Sequence, residues 1–284
     1  MPDYNRGAQR ASSRKTRSLL TAVFAALLIV TATTASAPEA QATTVRKVVI
    51  VVGPVGSETE RYRDSARQLA SQARSYGASV TSLFSPYATW SRVLSATRGA
   101  NLLIYLGHGN GWPSPYGPFA SDRKDGMGLN ATYGSGNSNV KYYGETYMAR
   151  LALARNAVVV LNRLCYASGN NEWGAGNPTR ATAIKRVDNY GVGFLRGGAK
   201  AVFASGITSV SYVLRGLFRG STSMSMSQLF WTDSNATRSY RFTFNGMRNP
   251  GATAIMDPYA PSRYYRSVIG YLGTTVGAWR TAGS

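Results

Sequence analysis

Cysteine and histidine are almost missing from this sequence: 284 residues hold one of each. A single thiol cannot close an internal disulfide. One His with one Cys and scattered carboxylates cannot complete a closed four-ligand zinc site, so no metal site is expected. Acidic residues are scarce too. Twelve Asp and Glu face 32 Lys and Arg, a formal net charge of +20. Long hydrophobic runs are also lacking. The most apolar stretch, Leu19 to Val30, is too short for a comfortable bilayer span. The G-x-S-x-G elbow of the serine hydrolases does not occur. "GPVG" at 53–56 lacks both the dinucleotide fingerprint and the Gly-Lys-Ser/Thr of a phosphate loop, and reads as a turn.

What the N-terminus does hold is a charge pattern. Arg6, Arg10, Arg14, Lys15 and Arg17 precede the apolar run, and "ASA" (35–37) and "AQA" (40–42) follow it. This is the layout of a secretory signal peptide over residues 1–42, with the cut expected after Ala42 because a cut after Ala37 would place Pro38 at the scissile bond. The bland alternative is a retained membrane anchor. Beyond this run no stretch is long and apolar enough to span a bilayer, so the mature chain is expected to be secreted, without a transmembrane segment. Its 27 basic and 10 acidic residues leave +17. The bases are scattered rather than massed in a stripe, so no specific nucleic-acid footprint is expected. The charge suits attraction to anionic surfaces such as a cell-envelope polymer.

Alternation of strands and helices fills residues 45–206. "VRKVVIVV" (45–52) is the β-branched run of a central strand buried on both faces. Ser57 and Glu60 have the spacing of a capping box at a helix start, and Tyr62, Ala66, Leu69, Ala73 and Tyr76 recur at helical spacing. Further strands are expected at 79–84, 101–106, 157–161 and 200–204, with helices at 89–97, 143–154 and from Pro178, capped by Asn177, to about Gly197. Ile184, Val187, Gly191, Phe194 and Leu195 mark the apolar side of that last helix. Residues 112–139 read as one long loop, and 232–258 as another. Helices are possible at 211–219 and 225–231, and a helix or strand pair at 264–280. The pattern predicts an α/β three-layer sandwich: a mostly parallel sheet with helices on both faces. A single domain is expected over 43–284, with its core at 45–206 and a less defined extension at 207–284.

Parallel strands end on one edge, where ligands of such sheets bind. His108 follows the apolar strand in "LLIYLGHGNG", and Cys165 follows the one in "AVVVLNRLCYASGN". If these strands are neighbours, an imidazole meets a thiol in one crevice and can take its proton. The backbone N–H groups of Gly109 and Cys165 are candidate oxyanion donors. An apolar strand running into His-Gly, then another running into Cys and small residues, resembles the caspase-like cysteine peptidases: caspases, metacaspases, legumains, gingipains and separases. The order and the separation of 57 positions suit that group. Arg163-Leu164 stand where caspases have Gln-Ala.

The resemblance implies His108 as general acid and base and Cys165 as nucleophile. It also implies a caspase-like fold, a peptide or protein substrate and no cofactor, although some relatives use calcium. Glu172 is placed to meet a basic substrate group or to stand as a plain surface carboxylate. Asp188 is a weaker substrate candidate or a helix-face residue. Trp112, Tyr116 and Phe119 either line a cleft or pack their loop onto the body. Two alternatives stay open beside a secreted peptidase: a catalytically inactive, caspase-like binding module on an anionic envelope, and another acyl transfer on cell-wall peptides.

Overall fold

The computed structural model describes residues 45–282, so the expected signal peptide lies outside the described residues. In chain order the elements are β1 (Lys47–Val52), α1 (Thr59–Ser75), β2 (Ser79–Phe84), α2 (Trp90–Thr97), β3 (Leu102–Leu106), β4 (Met127–Asn130), β5 (Val140–Tyr143), α3 (Glu145–Met148) and β6 (Ala157–Asn162). Then follow α4 (Arg180–Arg196), β7 (Ala199–Ser205), α5 (Ser211–Arg219), α6 (Met226–Phe230), β8 (Phe242–Asn245), β9 (Thr253–Met256), β10 (Arg266–Gly270) and α7 (Val276–Thr281).

Eight strands form one sheet in the order β2-β1-β3-β6-β7-β10-β9-β8. The five from β2 to β7 are parallel, and β10, β9 and β8 continue the sheet antiparallel. Side chains alternate along β1 in the manner a covered strand requires. Val49 and Val51 join the apolar layer of α2, α3 and α4, whereas Val48, Ile50 and Val52 join that of α1, α5, α6 and α7. All five are fully buried. The architecture is the expected α/β three-layer sandwich with a mostly parallel sheet.

Several local expectations are corrected. Ser57 and Glu60 form no capping box. A single 3-10 turn covers Gly56–Glu58, and α1 starts at Thr59, whose Oγ1 accepts the N–H of Val55 and donates to the carbonyl of Gly56. Thr179, not Asn177, caps α4, its hydroxyl accepting from the N–H of Thr182. The helix expected over 143–154 is one turn, Glu145–Met148. The loop of 112–139 contains β4, which pairs with β5 in a hairpin. The loop of 232–258 contains β8 and β9, so residues beyond 206 supply three strands to the main sheet. Helix α4 is buried almost all round from Arg186 to Phe194, because loops pack against the side turned from the sheet.

The antiparallel half of the sheet is tied down by a buried charge cluster. Arg266 of β10, 4% exposed, contacts Asp233 at 2.9 Å, pairs with Asp257, and donates to the carbonyl of Phe230. Buried charges persist only when compensated in this way.

Candidate active site

Leu106 at the end of β3 pairs with Asn162 at the end of β6. His108 and Cys165 therefore leave the same edge of the sheet, two and three residues beyond a registered pair. The two loops then touch. A Cβ on Gly109 would lie 2.1 Å from the carbonyl oxygen of Cys165 and 2.7 Å from the hydroxyl of Tyr190. One on Gly111 would lie 2.3 Å from Cβ of Tyr166. Only glycine allows this approach of backbone to backbone.

The Cys165 loop is bent at two places. Arg163 and Tyr166 flank Cys165 with φ of +62° and +72°, a left-handed region that side chains other than Asn and Asp seldom adopt. Strain of this kind is held by surrounding structure and gathers at functional sites. Here the holding is visible. The N–H of Arg163 donates to the carbonyl of Ser205 at 2.7 Å. Arg186 of α4, 4% exposed, donates to the carbonyl of Asn170 in the Cys loop and to that of Pro113 in the His loop, each at 2.7 Å. Its guanidinium also lies 4.6 Å from the ring centre of Tyr166.

The histidine loop is clamped as well. The buried hydroxyl of Tyr105 lies 3.0 Å from the carbonyl oxygen of His108 and 2.7 Å from that of Gly128, and accepts the N–H of Gly128. Buried Lys124 gives its three donors to Asn110 Oδ1, Ser114 Oγ and the carbonyl of Tyr116. Asp125, wholly buried, accepts the N–H of Trp112 on Oδ1, while its Oδ2 and the hydroxyl of buried Tyr190 have no partner among the described residues. Burial pushes the Asp125 carboxyl up to about 8.

The Cys165 thiol and the His108 imidazole rest uncharged at neutral pH. The Cys165 thiol is half-buried, and burial, then the negative charge of Glu172, push it up to about 11 against the opposing pull of the Trp173 N–H. His108 is exposed at its loop, yet loss of water lowers its pKa, and Glu172 opposes that shift. Both groups thus feel one carboxylate. Glu172 itself accepts from the hydroxyls of Tyr116 (2.6 Å) and Tyr166 (2.8 Å). The N–H of Gly109 meets no backbone carbonyl among the described residues, and that of Cys165 donates to its own thiol.

Cys165 and Glu172 share the wall of a cleft of about 920 Å³ with Tyr62, Arg163, Trp173 and Arg263. Trp112 does not line it. Its backbone is held by Asp125 and by Asn189 of α4, and its ring packs edge-on against Phe119, 5.6 Å between centres. Its ring thus packs within its own loop. Asp188 is corrected likewise. It is 4% exposed, and its carboxylate accepts the N–H groups of Met247 and Arg248 and the amide of Asn249, so no oxygen is free for a substrate. Sequence reasoning missed Tyr105, Lys124, Arg186 and Tyr190, and counted Asp125 only among the acidic residues near the site. Tyr105 sits inside the His108 motif yet read as one more apolar strand residue, and each of the five acts through a contact made only in three dimensions. Among the described residues no group of three or more His, Cys, Asp or Glu could hold a metal ion, and no helix is long and apolar enough to cross a membrane.

Neither a family model nor a curated protein matches the sequence. The solved structures similar to the chain include two cysteine proteases. One is the Arg-specific cysteine proteinase gingipain R, with a TM-score of 0.36 and 12% identity over 81% of this chain. The other is a secreted cysteine protease from Bacteroides thetaiotaomicron in complex with an irreversible peptide inhibitor, with a TM-score of 0.38 and 8% identity over 75% of this chain. The chain spans 61% of the length of the first and 66% of the second. Both are cysteine proteases.

Proposed function

We propose that this chain is a cysteine peptidase that cleaves peptide or amide bonds with Cys165 as nucleophile and His108 as its acid–base partner. The observation that carries the reading is the contact of Gly109 with Cys165. It joins the two strand-end loops beside the cleft that Cys165 lines, where the Gly109 N–H meets no backbone carbonyl among the described residues.

The resting thiol and imidazole are both neutral, so the thiol proton passes to His108 as the sulfur attacks the substrate carbonyl carbon. The oxygen becomes an oxyanion beside the N–H groups of Gly109 and Cys165. His108 then gives its proton to the leaving amine, and a thioester forms on Cys165. Water, deprotonated by His108, hydrolyses the thioester, and the acid product leaves with the thiol restored. In the same reading residues 1–42 are a leader removed before the enzyme acts outside the cell.

The test is a mixture of end-blocked peptides digested by wild type, Cys165→Ala and His108→Ala, with product masses recorded. Wild type is expected to cut. Both variants should lose on the order of a thousandfold or more in rate while keeping the wild-type melting temperature. A peptidyl chloromethyl ketone should add to Cys165 alone. The raised thiol pKa favours one rival, an inactive binding module held by its positive charge to an anionic envelope polymer. Wild type that neither cuts nor takes the label would replace the peptidase by that module.

A further inference from the structure

Two buried oxygens beneath the His108 loop are left over. Asp125 Oδ2 and the Tyr190 hydroxyl have no hydrogen-bond partner among the described residues, although Asp125 is wholly buried and Tyr190 is 1% exposed. An unmatched buried polar group is costly, and two in one place call for an explanation. They bracket one turn. Asp125 grips residues 110 and 112: its N–H donates to the carbonyl of Asn110 at 3.0 Å, and its Oδ1 accepts the N–H of Trp112 at 2.9 Å. Tyr190 lies against residues 109 and 111. Its hydroxyl is 2.7 Å from where a Cβ of Gly109 would stand, and its ring edge is 2.9 Å from that of Gly111. Its neighbour Asn189 donates to the carbonyl of Trp112.

No cation neutralises the carboxyl. Lys124 gives its donors to the His108 loop, Arg186 gives its own to two carbonyls, and Arg248 is bound through both terminal nitrogens to Glu145, whose charge repels that of Asp125. Burial therefore keeps the proton on Asp125 up to about 8. With Oδ1 accepting from Trp112, that proton sits on Oδ2, and the Tyr190 oxygen is the acceptor it lacks. The two feel each other's charge.

Resting on the peptidase reading, we infer that Asp125 and Tyr190 are positioning residues for the reaction: the carboxyl O–H, matched to the Tyr190 hydroxyl directly or through one buried water, holds the Gly109 turn with its N–H toward the oxyanion. The arrangement works only with a neutral carboxyl. A carboxylate has no donor for Tyr190. It also sets a negative charge beneath an N–H that must steady a second one, and with little water between them the two repel.

The test is the pH dependence of kcat, which a residue that merely supports the fold does not shape. Circular dichroism at each pH separates ionisation from unfolding. Wild type should lose at least about fivefold in kcat between pH 7 and pH 9.5, with a midpoint near 8. Asp125→Asn keeps an acceptor for Trp112 and a donor for Tyr190 but cannot ionise, so its profile should show no such fall. Tyr190→Phe removes only the hydroxyl and should lower kcat about tenfold with little change in KM. A second readout needs no substrate. The imidazole protons of the one histidine belong to His108, which adjoins the turn. Their NMR shift in wild type should move in a step near pH 8, above the lowered titration of His108 itself. That step should vanish in Asp125→Asn. Cleavage with no fall above pH 8, or with the same fall in Asp125→Asn, overturns this inference and leaves the peptidase intact. A wild type that does not cut, yet shows the step that Asp125→Asn loses, upholds the hold of the pair on the turn and removes the peptidase. Neither cleavage nor step overturns both.

Discussion

Replacing Glu172 by Gln removes the one carboxylate that raises both His108 and Cys165. Both pKa values are therefore expected to fall together, and this joint fall is the signature of a shared site. With the thiol at about 11, roughly one molecule in a thousand is thiolate at pH 8, against about a quarter for a free cysteine. Alkylation by iodoacetamide should accordingly be slow in wild type. One charge acting across a half-buried site is worth on the order of 1 kcal/mol. The variant thiol should thus drop by about half to one pKa unit, and its alkylation at pH 8 should quicken about 3- to 10-fold. The same charge loss should lower the His108 titration seen by proton NMR. With one cysteine and one histidine in the chain, each signal belongs to one residue without assignment. His108→Ala should leave the thiol midpoint near 11, because burial and the charge of Glu172, not the neutral imidazole, hold it there. An alkylation rate that is unchanged or slower in Glu172→Gln, or a His108 pKa that rises, refutes the placing of this carboxylate. A wild-type thiol midpoint below 8 refutes the neutral resting pair.

Three further outcomes are expected. Gly109→Ala should push the two loops apart, since its Cβ would meet the Cys165 carbonyl at 2.1 Å. A loss of about 100-fold in kcat is expected with little change in peptide binding, and wild-type turnover by this variant would contradict the close contact. Asp125 keeps its proton to about 8 in the folded chain, whereas the unfolded chain releases it near pH 4. Between these values rising pH favours unfolding by at most about 1.4 kcal/mol per unit. Thermal melts from pH 5 to 8 should flatten in Asp125→Asn, and parallel pH curves for the two proteins would show the carboxyl to be ionised in the fold. Arg266→Ala leaves Asp233 and Asp257 buried without their cation, a loss of about 3–5 kcal/mol in urea unfolding. A loss under 1 kcal/mol would show that the cluster does not hold the antiparallel strands.

The sequence alone was enough for the parallel half of the sheet. Stretches such as 48–52 and 157–161 are unbroken β-branched or apolar runs, and burial on both faces demands that composition wherever the strand sits. It was enough also to place one His and one Cys at strand ends, because apolar runs giving way to glycine are local signals. It could not reveal β8 and β9. Phe242–Asn245 alternates between half-buried and exposed positions, a weak four-residue signal that becomes a strand through its hydrogen bonds to a neighbour. Asp188 looked like any polar residue on a helix face. The turn at 246–249, distant in sequence, claims its oxygens. Likewise Arg186 and Tyr105 join loops that are separate in the chain, and Asp125 and Tyr190 bracket one turn only once the fold brings them to it. Composition and periodicity record what each segment buries. Which polar groups meet, and which are left without a partner, is decided by contacts between segments far apart in sequence, and those exist only once the chain has closed.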